Sequence, residues 1–218
     1  MEAERKQETK KPTGVPEPTI RRMPLYHNLL KKINIDEVEY ISAPLIARIL
    51  NLDPTQVVKD LSYTGIIGKT RVGYKIVELI IAIENLLGFH HPHDAFLVGA
   101  GNLGFALLNY TGFKPVGMNI IAAFDTDRKK IGTLVQDVKI YDFERYREMA
   151  EKMKPAIGII TTPPSVAQQV ADVMVVWGIK AIWNYTQVSL RVPPSIVLQD
   201  THIYASLAVI INKLNKEK

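Results

Sequence analysis

No cysteine occurs anywhere in the 218 residues. That absence excludes a disulfide scaffold, a thiolate-held zinc or iron–sulfur centre and a thiol nucleophile, and it leaves no mark of an oxidising compartment. A long apolar run is missing too. The longest, near residues 76–87, is broken by Glu78 and Glu84, and none reaches the roughly 18–20 apolar residues of a membrane span. The opening Met1-Glu2-Ala3-Glu4-Arg5-Lys6 is charged where a secretory leader would turn apolar. A soluble, cytoplasmic protein without a membrane partner is expected. There is no internal repeat. The length fits one large domain or two small ones, at roughly 100–200 residues each, and can bury a core without covalent staples.

The net charge is +5, which permits a nucleic-acid partner without requiring one. Residues 20–75 hold nine Lys/Arg against five Asp/Glu, and residues 89–218 hold fourteen against eleven. The excess is therefore denser in the first part, as a basic N-terminal domain would show.

Residues 1–18 are rich in Glu, Lys, Thr and Pro without apolar period, and a disordered tail is expected there. A helix is expected from Pro24 to about residue 33, and a second, capped by Ser42, over 43–50. Asp53-Pro54-Thr55-Gln56 then supplies an Asp N-cap, Pro at the first helical position and Gln at the third. Thr55, Lys59 and Ser62 fall at i, i+4, i+7 on the face away from Val57 and Leu61. Two helices across a short turn make a helix-turn-helix candidate, though any small helical hairpin has this pattern. Residues 65–74 pair short β-type stretches around Gly and Lys69/Arg71, as a basic-tipped hairpin would, and a helix over 75–87 closes the domain.

From residue 95 strands and helices alternate: strands over 95–98, 119–124, 157–161 and 181–184, helices from 103 and over 165–176. That order implies a parallel, right-handed α/β sheet. The expected organisation is a tail (1–18), a winged-helix domain (19–88) and a Rossmann-type domain with a C-terminal helix (89–218).

Gly99-Ala100-Gly101-Asn102-Leu103-Gly104 follows the first of these strands and opens a helix. The first Gly allows the tight turn, the second the approach of a pyrophosphate, and the third close packing of helix on strand. Asp125 ends the next strand, 21 residues past Gly104. A carboxylate there accepts hydrogen bonds from ribose hydroxyls and repels a 2′-phosphate, so NAD (NADH and NAD⁺) is the expected cofactor, although Arg128, Lys129 and Lys130 follow closely. A glycine turn without a ligand is the plain alternative.

His90-His91-Pro92-His93-Asp94 contains metal-ligand types, but Pro92 and an extended linker would keep them from converging, and no metal is expected. An NAD-dependent oxidoreductase would need a substrate region and a proton donor. Little chain follows the sheet, and His202 is the one late histidine. A sensor that leaves the cofactor unchanged fits better than an enzyme.

Over about residues 20–214 the chain resembles the redox-sensing transcriptional repressor Rex family. The likeness rests on Val57-Val58-Lys59-Asp60-Leu61-Ser62-Tyr63, Gly68-Lys69-Thr70-Arg71-Val72-Gly73-Tyr74, residues 99–104 with Leu107-Leu108-Asn109-Tyr110, Ala122-Ala123-Phe124-Asp125, Thr161 with Pro163, and Gly178-Ile179-Lys180-Ala181-Ile182-Trp183-Asn184. The resemblance implies a homodimer that binds operator DNA and releases it when the NADH/NAD⁺ ratio rises, with residues 206–214 in a helix exchanged between subunits. It implies cofactor contacts at Gly99, Ala100, Gly101, Asn102, Leu103, Gly104, Asp125, Thr161 and Pro163. It also implies DNA contacts at Thr55, Gln56, Lys59, Ser62, Tyr63, Lys69 and Arg71, and switching at Tyr110 and His202. The chain departs from the family at Val58 and Thr70, where Arg is usual, at Asn28, and at His202 and Ile203, where Asp and Phe occur. An NAD(H)-binding relative with weakened or altered DNA binding is the alternative.

Overall fold

A computed structural model describes residues 14–216 and divides the chain into two compact units, Met1–His90 and His91–Lys218. Most of the expected tail lies outside the described residues.

In the first unit α1 (Glu17–Leu30) starts seven residues before the expected Pro24, so residues 17 and 18 are helix and not tail. Pro18 falls in the first turn, where a missing N–H costs nothing, but Pro24 lies inside the helix. An interior Pro costs roughly 3 kcal/mol. Here Met23, Tyr26 and Leu30, all fully buried, anchor the helix to the core and outweigh it. β1 (Tyr40–Ile41) leads to α2 (Ala43–Leu50), whose N-cap Ser42 accepts from the Leu45 amide, and Asn51 ends the helix in a left-handed turn. In α3 (Pro54–Ser62) the Asp53 side chain accepts from the Gln56 amide at 2.9 Å. Ile46 and Ala47 of α2 pack with Val57 and Leu61 of α3.

The hairpin expected over 65–74 takes a different form. β2 (Tyr74–Lys75) pairs with β1, and within the wing only Lys69 and Gly73 bridge, their backbones exchanging bonds of 2.7 and 2.9 Å. Gly73 has φ +110°, and a Cβ there would stand 2.3 Å from the Ile41 carbonyl oxygen, so only glycine lets the turn lie this close to β1. α4 (Ile76–Leu87) completes the unit, burying Ile76, Leu79 and Ile83.

The second unit runs β3 (His93–Val98), α5 (Asn102–Leu108), β4 (Met118–Asp125), β5 (Leu134–Val135), β6 (Val138–Asp142), α6 (Tyr146–Met153), β7 (Ile157–Ile160), α7 (Pro164–Val176), β8 (Ala181–Asn184), β9 (Val197–Asp200) and α8 (Ile203–Lys216). The sheet order is β5-β6-β4-β3-β7-β8-β9. It is parallel, as expected, except at one edge, where the short β5 runs antiparallel to β6. The turn between them places Gln136 at φ +52°. Such hairpin turns usually announce themselves with Asn or Gly, and Gln136-Asp137 does not. Both faces of the central strands are buried: Phe96 and Phe124 pack with α6 and α7, and Leu97 and Ala123 pack on the α5 side. Strands covered on both faces read as continuous apolar runs, which is why β3 and β4 were visible in sequence. Among the described residues no helix is long and apolar enough to cross a membrane.

Candidate functional site

The glycine loop sits where β3 ends and α5 begins, and its three glycines have different reasons. Gly99 has φ +102°, and a Cβ there would lie 2.7 Å from the Thr161 carbonyl carbon. A Cβ on Gly104 would meet the Gly99 carbonyl oxygen at 2.1 Å. The fold itself therefore demands glycine at both. A Cβ on Gly101 would meet nothing within 4 Å, so the protein interior does not account for this glycine. The open space leaves the backbone there accessible from outside, the kind of approach a pyrophosphate needs. Asn102 and Leu103 open α5, where the first N–H groups of a helix have no intrahelical partner, and Ala100 is buried at the turn.

Thr161 and Pro163 lie beyond the end of β7. The Thr161 hydroxyl donates to the Gly99 carbonyl at 2.7 Å, so it holds the glycine loop in place. Pro163 is exposed and precedes α7. Between them the Thr162 hydroxyl oxygen is buried without a hydrogen-bond partner and lines a cleft of about 410 Å³ with Gly99, Asp125, Phe143, Pro163 and Val166. Thr162 was missed in sequence, where it is only the variable position between Thr161 and Pro163.

Asp125 ends β4 beside this cleft. Its Oδ1 accepts from the Asp127 amide at 2.9 Å and its Oδ2 from Lys130 Nζ at 3.1 Å. Burial acts to raise its pKa, but the Asp127 amide and the Lys130 ammonium, with the Ala100 amide, hold the carboxyl below its ordinary value. It is an anionic acceptor at neutral pH. Of the three basic residues behind it only Lys130 engages it, while Arg128 and Lys129 are exposed.

In the first unit, Thr55, Lys59 and Ser62 are exposed on α3, with the Ser62 hydroxyl bonded to the Lys59 carbonyl. Gln56 is half-buried, and its amide donates to Asp60 Oδ1 at 2.9 Å, so the structure turns this expected contact inward. Tyr63 caps the helix and is partly buried. Lys69 lies over the Tyr40 ring, its Nζ 3.4 Å from the hydroxyl. Arg71 is exposed at the wing tip with φ +66°.

Sequence comparison finds relatives over nearly the whole chain. It is 44% identical to the redox-sensing transcriptional repressor Rex of Bacteroides thetaiotaomicron, across 93% of this chain and 92% of that one. It is 43% identical to the same repressor of Treponema denticola, across 89% and 94%. This chain belongs to the Rex family of redox-sensing transcriptional repressors. Family models described as "Putative DNA-binding protein N-terminus" and "CoA binding domain" match residues 14–62 and 90–188. Two crystal structures of the Rex-family repressor RSP share the fold at 34% identity over 94% of this chain. The complex with NAD⁺ and operator DNA has a TM-score of 0.87 and the complex with NADH 0.84, covering 94% and 96% of those chains.

The Rex relatives are named as repressors and not as enzymes. Tyr110 and Lys114 do stand four apart, the spacing of a dehydrogenase Tyr-x-x-x-Lys pair. They share no helix here: α5 ends at Leu108, and Lys114 opens a short 3-10 turn and reaches Asp137 at 3.7 Å. Among the described residues no group of three or more His, Asp or Glu is placed to hold a metal ion. Of the two expected Rex switch residues, Tyr110 is 59% exposed, its ring edge-on to Phe113 at 4.7 Å, and His202 is exposed between β9 and α8. The Ile203 side chain lies outside what is described.

Proposed function

We propose that this protein is a cytoplasmic, NADH-responsive repressor that binds operator DNA as a homodimer and leaves it when the NADH/NAD⁺ ratio rises. The observation that carries the cofactor half is Gly101, a glycine that the fold does not need beside an ionised Asp125. In this reading residues 99–104 take the pyrophosphate, Asp125 the adenosine ribose, and Thr161 and Pro163 shape the cofactor cleft. Residues 19–88 form the DNA-binding domain, with Thr55, Lys59, Ser62 and Tyr63 of the α3 region at the groove and Lys69 and Arg71 at the backbone. Residues 89–218 form the cofactor domain.

Exchange of α8 between subunits is supported by its surface. Tyr204, Leu207, Val209, Ile210, Ile211 and Leu214 are 46–65% exposed. An apolar helix left in water at this scale calls for a cover, and a second copy supplies it. A twofold dimer reads a palindrome.

The test is selection of bound duplexes from a random pool with and without NADH. A palindrome enriched only without NADH is expected, and no enrichment at low salt overturns the reading. A second reading keeps the cofactor and weakens the DNA contact. Val58, 49% exposed on α3, favours it, and cofactor binding without enrichment would select it.

Three predictions arise here. Asp125→Ala should weaken NADH and NAD⁺ about equally, because the adenosine half is common to both. His202→Asp should raise affinity for NAD⁺ relative to NADH, because a carboxylate attracts the cationic ring where an imidazole does not. Calorimetric titration between pH 6 and 8 checks both. At the wing, a non-glycine left-handed residue costs about 1–2 kcal/mol, part of which glycine returns as chain entropy. Arg71→Gly should therefore stabilise the protein by about 0.5–1 kcal/mol in thermal melts and lower the salt slope of DNA binding by about one.

A further inference from the structure

Tyr110 and His202 stand far apart in sequence, yet a continuous set of contacts joins their surroundings. The Tyr110 ring meets Phe113 edge-on at 4.7 Å, and Phe113 meets Trp183 at 5.8 Å, again near-perpendicular at 71°. Trp183 lies on β8 with the Tyr185 ring at 4.9 Å. Its indole N–H donates to Thr201 Oγ1 at 2.8 Å. Thr201 is the residue before His202, and α8 begins one residue later.

The next residue along β8 holds the same junction differently. The buried Asn184 donates to Asp200 Oδ1 at 2.7 Å and to the Val188 carbonyl at 2.9 Å, and its own oxygen accepts from the Thr186 amide and hydroxyl. That network is closed and satisfied. Trp183 holds the junction from one end and touches the Tyr110 side at the other. Its indole has a single donor and no acceptor, so a tilt that leaves Thr201 leaves a half-buried N–H unpaired. Edge-on aromatic contacts have preferred geometry, so displacing Tyr110 and Phe113 tilts the indole. Such a contact, either made or broken, is the two-state element that coupling between sites requires.

We propose that Trp183 is a positioning residue that couples Tyr110 to the root of α8 within one chain, through its bond to Thr201. The inference rests on the redox-switch reading above.

The experiment compares the full-length protein with Trp183→Phe, which keeps an aromatic ring, with Thr201→Val, which keeps the shape, and with the double variant. NADH affinity, cofactor-free affinity for the selected palindrome and the NADH concentration that releases it are each measured. Both single variants should keep the first two within about twofold and need at least about fivefold more NADH for release, the low end of ordinary allosteric coupling. The double variant should need no more than either single one, because both remove the same bond. A purely structural role would lower the melting temperature and leave the release concentration where it was. If Trp183→Phe does not fold, Thr201→Val decides alone. Release at the wild-type NADH concentration in a folded single variant, or additive losses in the double, overturns the inference alone. A wild-type protein whose DNA binding ignores NADH overturns the functional reading and this inference with it.

Discussion

Gly104→Ala should cost the second unit about 3 kcal/mol or more, the upper range for forcing atoms into a packed interior. The added methyl would sit 2.1 Å from the Gly99 carbonyl oxygen and 3.2 Å from Thr161 Oγ1. The nearer obstacle is backbone that cannot rotate away, and Gly99 is itself held by the Thr161 hydroxyl. A large fall in melting temperature is the expected readout. Gly101→Ala is the matched control, since its methyl would enter open space. It should melt like the wild type while losing dinucleotide affinity at least about tenfold, equivalent to about 1.4 kcal/mol. Equal melting of the two variants would show that the loop is not packed as described. Unchanged cofactor binding by Gly101→Ala would remove the main support for placing the pyrophosphate there.

Asp60→Asn should destabilise the first unit by about 3–5 kcal/mol, the usual penalty for removing one partner of a buried ion pair. Asp60 is fully buried, and one carboxylate collects five donors. Oδ1 accepts from Thr19, Arg22 Nη2 and Gln56, each at 2.9 Å, and Oδ2 from Arg22 Nε and Tyr26, each at 2.6 Å. An amide would turn one acceptor into a donor facing donors. Because Thr19, Arg22 and Tyr26 belong to α1 and Gln56 to α3, the same variant should lose the orientation of α3 and with it DNA binding.

The same group sets a pH dependence. Burial acts to raise the Asp60 pKa, but the hydrogen bonds from Arg22, Tyr26 and Thr19 hold it below its ordinary value. The Arg22 guanidinium is raised in turn, chiefly by its bond to Asp60. A folded-state pKa below the unfolded one means that the stabilisation is complete above about pH 4 and is lost as pH falls through the depressed folded value. Denaturant unfolding between pH 7 and 3 should show this acid loss in the wild type. Asp60→Asn should lack this contribution to it.

What could be read directly from residues was what neighbouring residues decide among themselves. The Asp53 cap shows in a Pro-Thr-Gln run because capping involves only four positions, and its bond to the Gln56 amide forms accordingly. The glycine loop and Asp125 show because the turn, the helix start and the next strand end have fixed local requirements. The strands β5, β6 and β9, which lack a continuous apolar run, did not show. β6 alternates buried Val138 and Ile140 with exposed Lys139 over only five residues, and the turn before it lacks the usual glycine or asparagine. The start of α1 was misplaced because Pro24 reads as a first position, while the burial that overrides it comes from other helices.

The sequence by itself determined the order of the two domains, the parallel α/β character of the second, the glycine loop with its acidic partner, and the family. These are properties of composition, period and short spacing, and they need no knowledge of what touches what. Tertiary structure alone decided that Gln56 turns inward to Asp60, that β2 pairs with β1 instead of closing a hairpin, and that Gly101 has no steric reason within the fold. It alone decided that Trp183 reaches Thr201. The β1–β2 pairing and the Trp183–Thr201 bond depend on contacts between segments far apart in the chain, and Gln56 follows a carboxylate that Thr19, Arg22 and Tyr26 of α1 hold inward, so strand register and helix packing set which atoms meet. A single sequence carries the residue types for such contacts but not their distances.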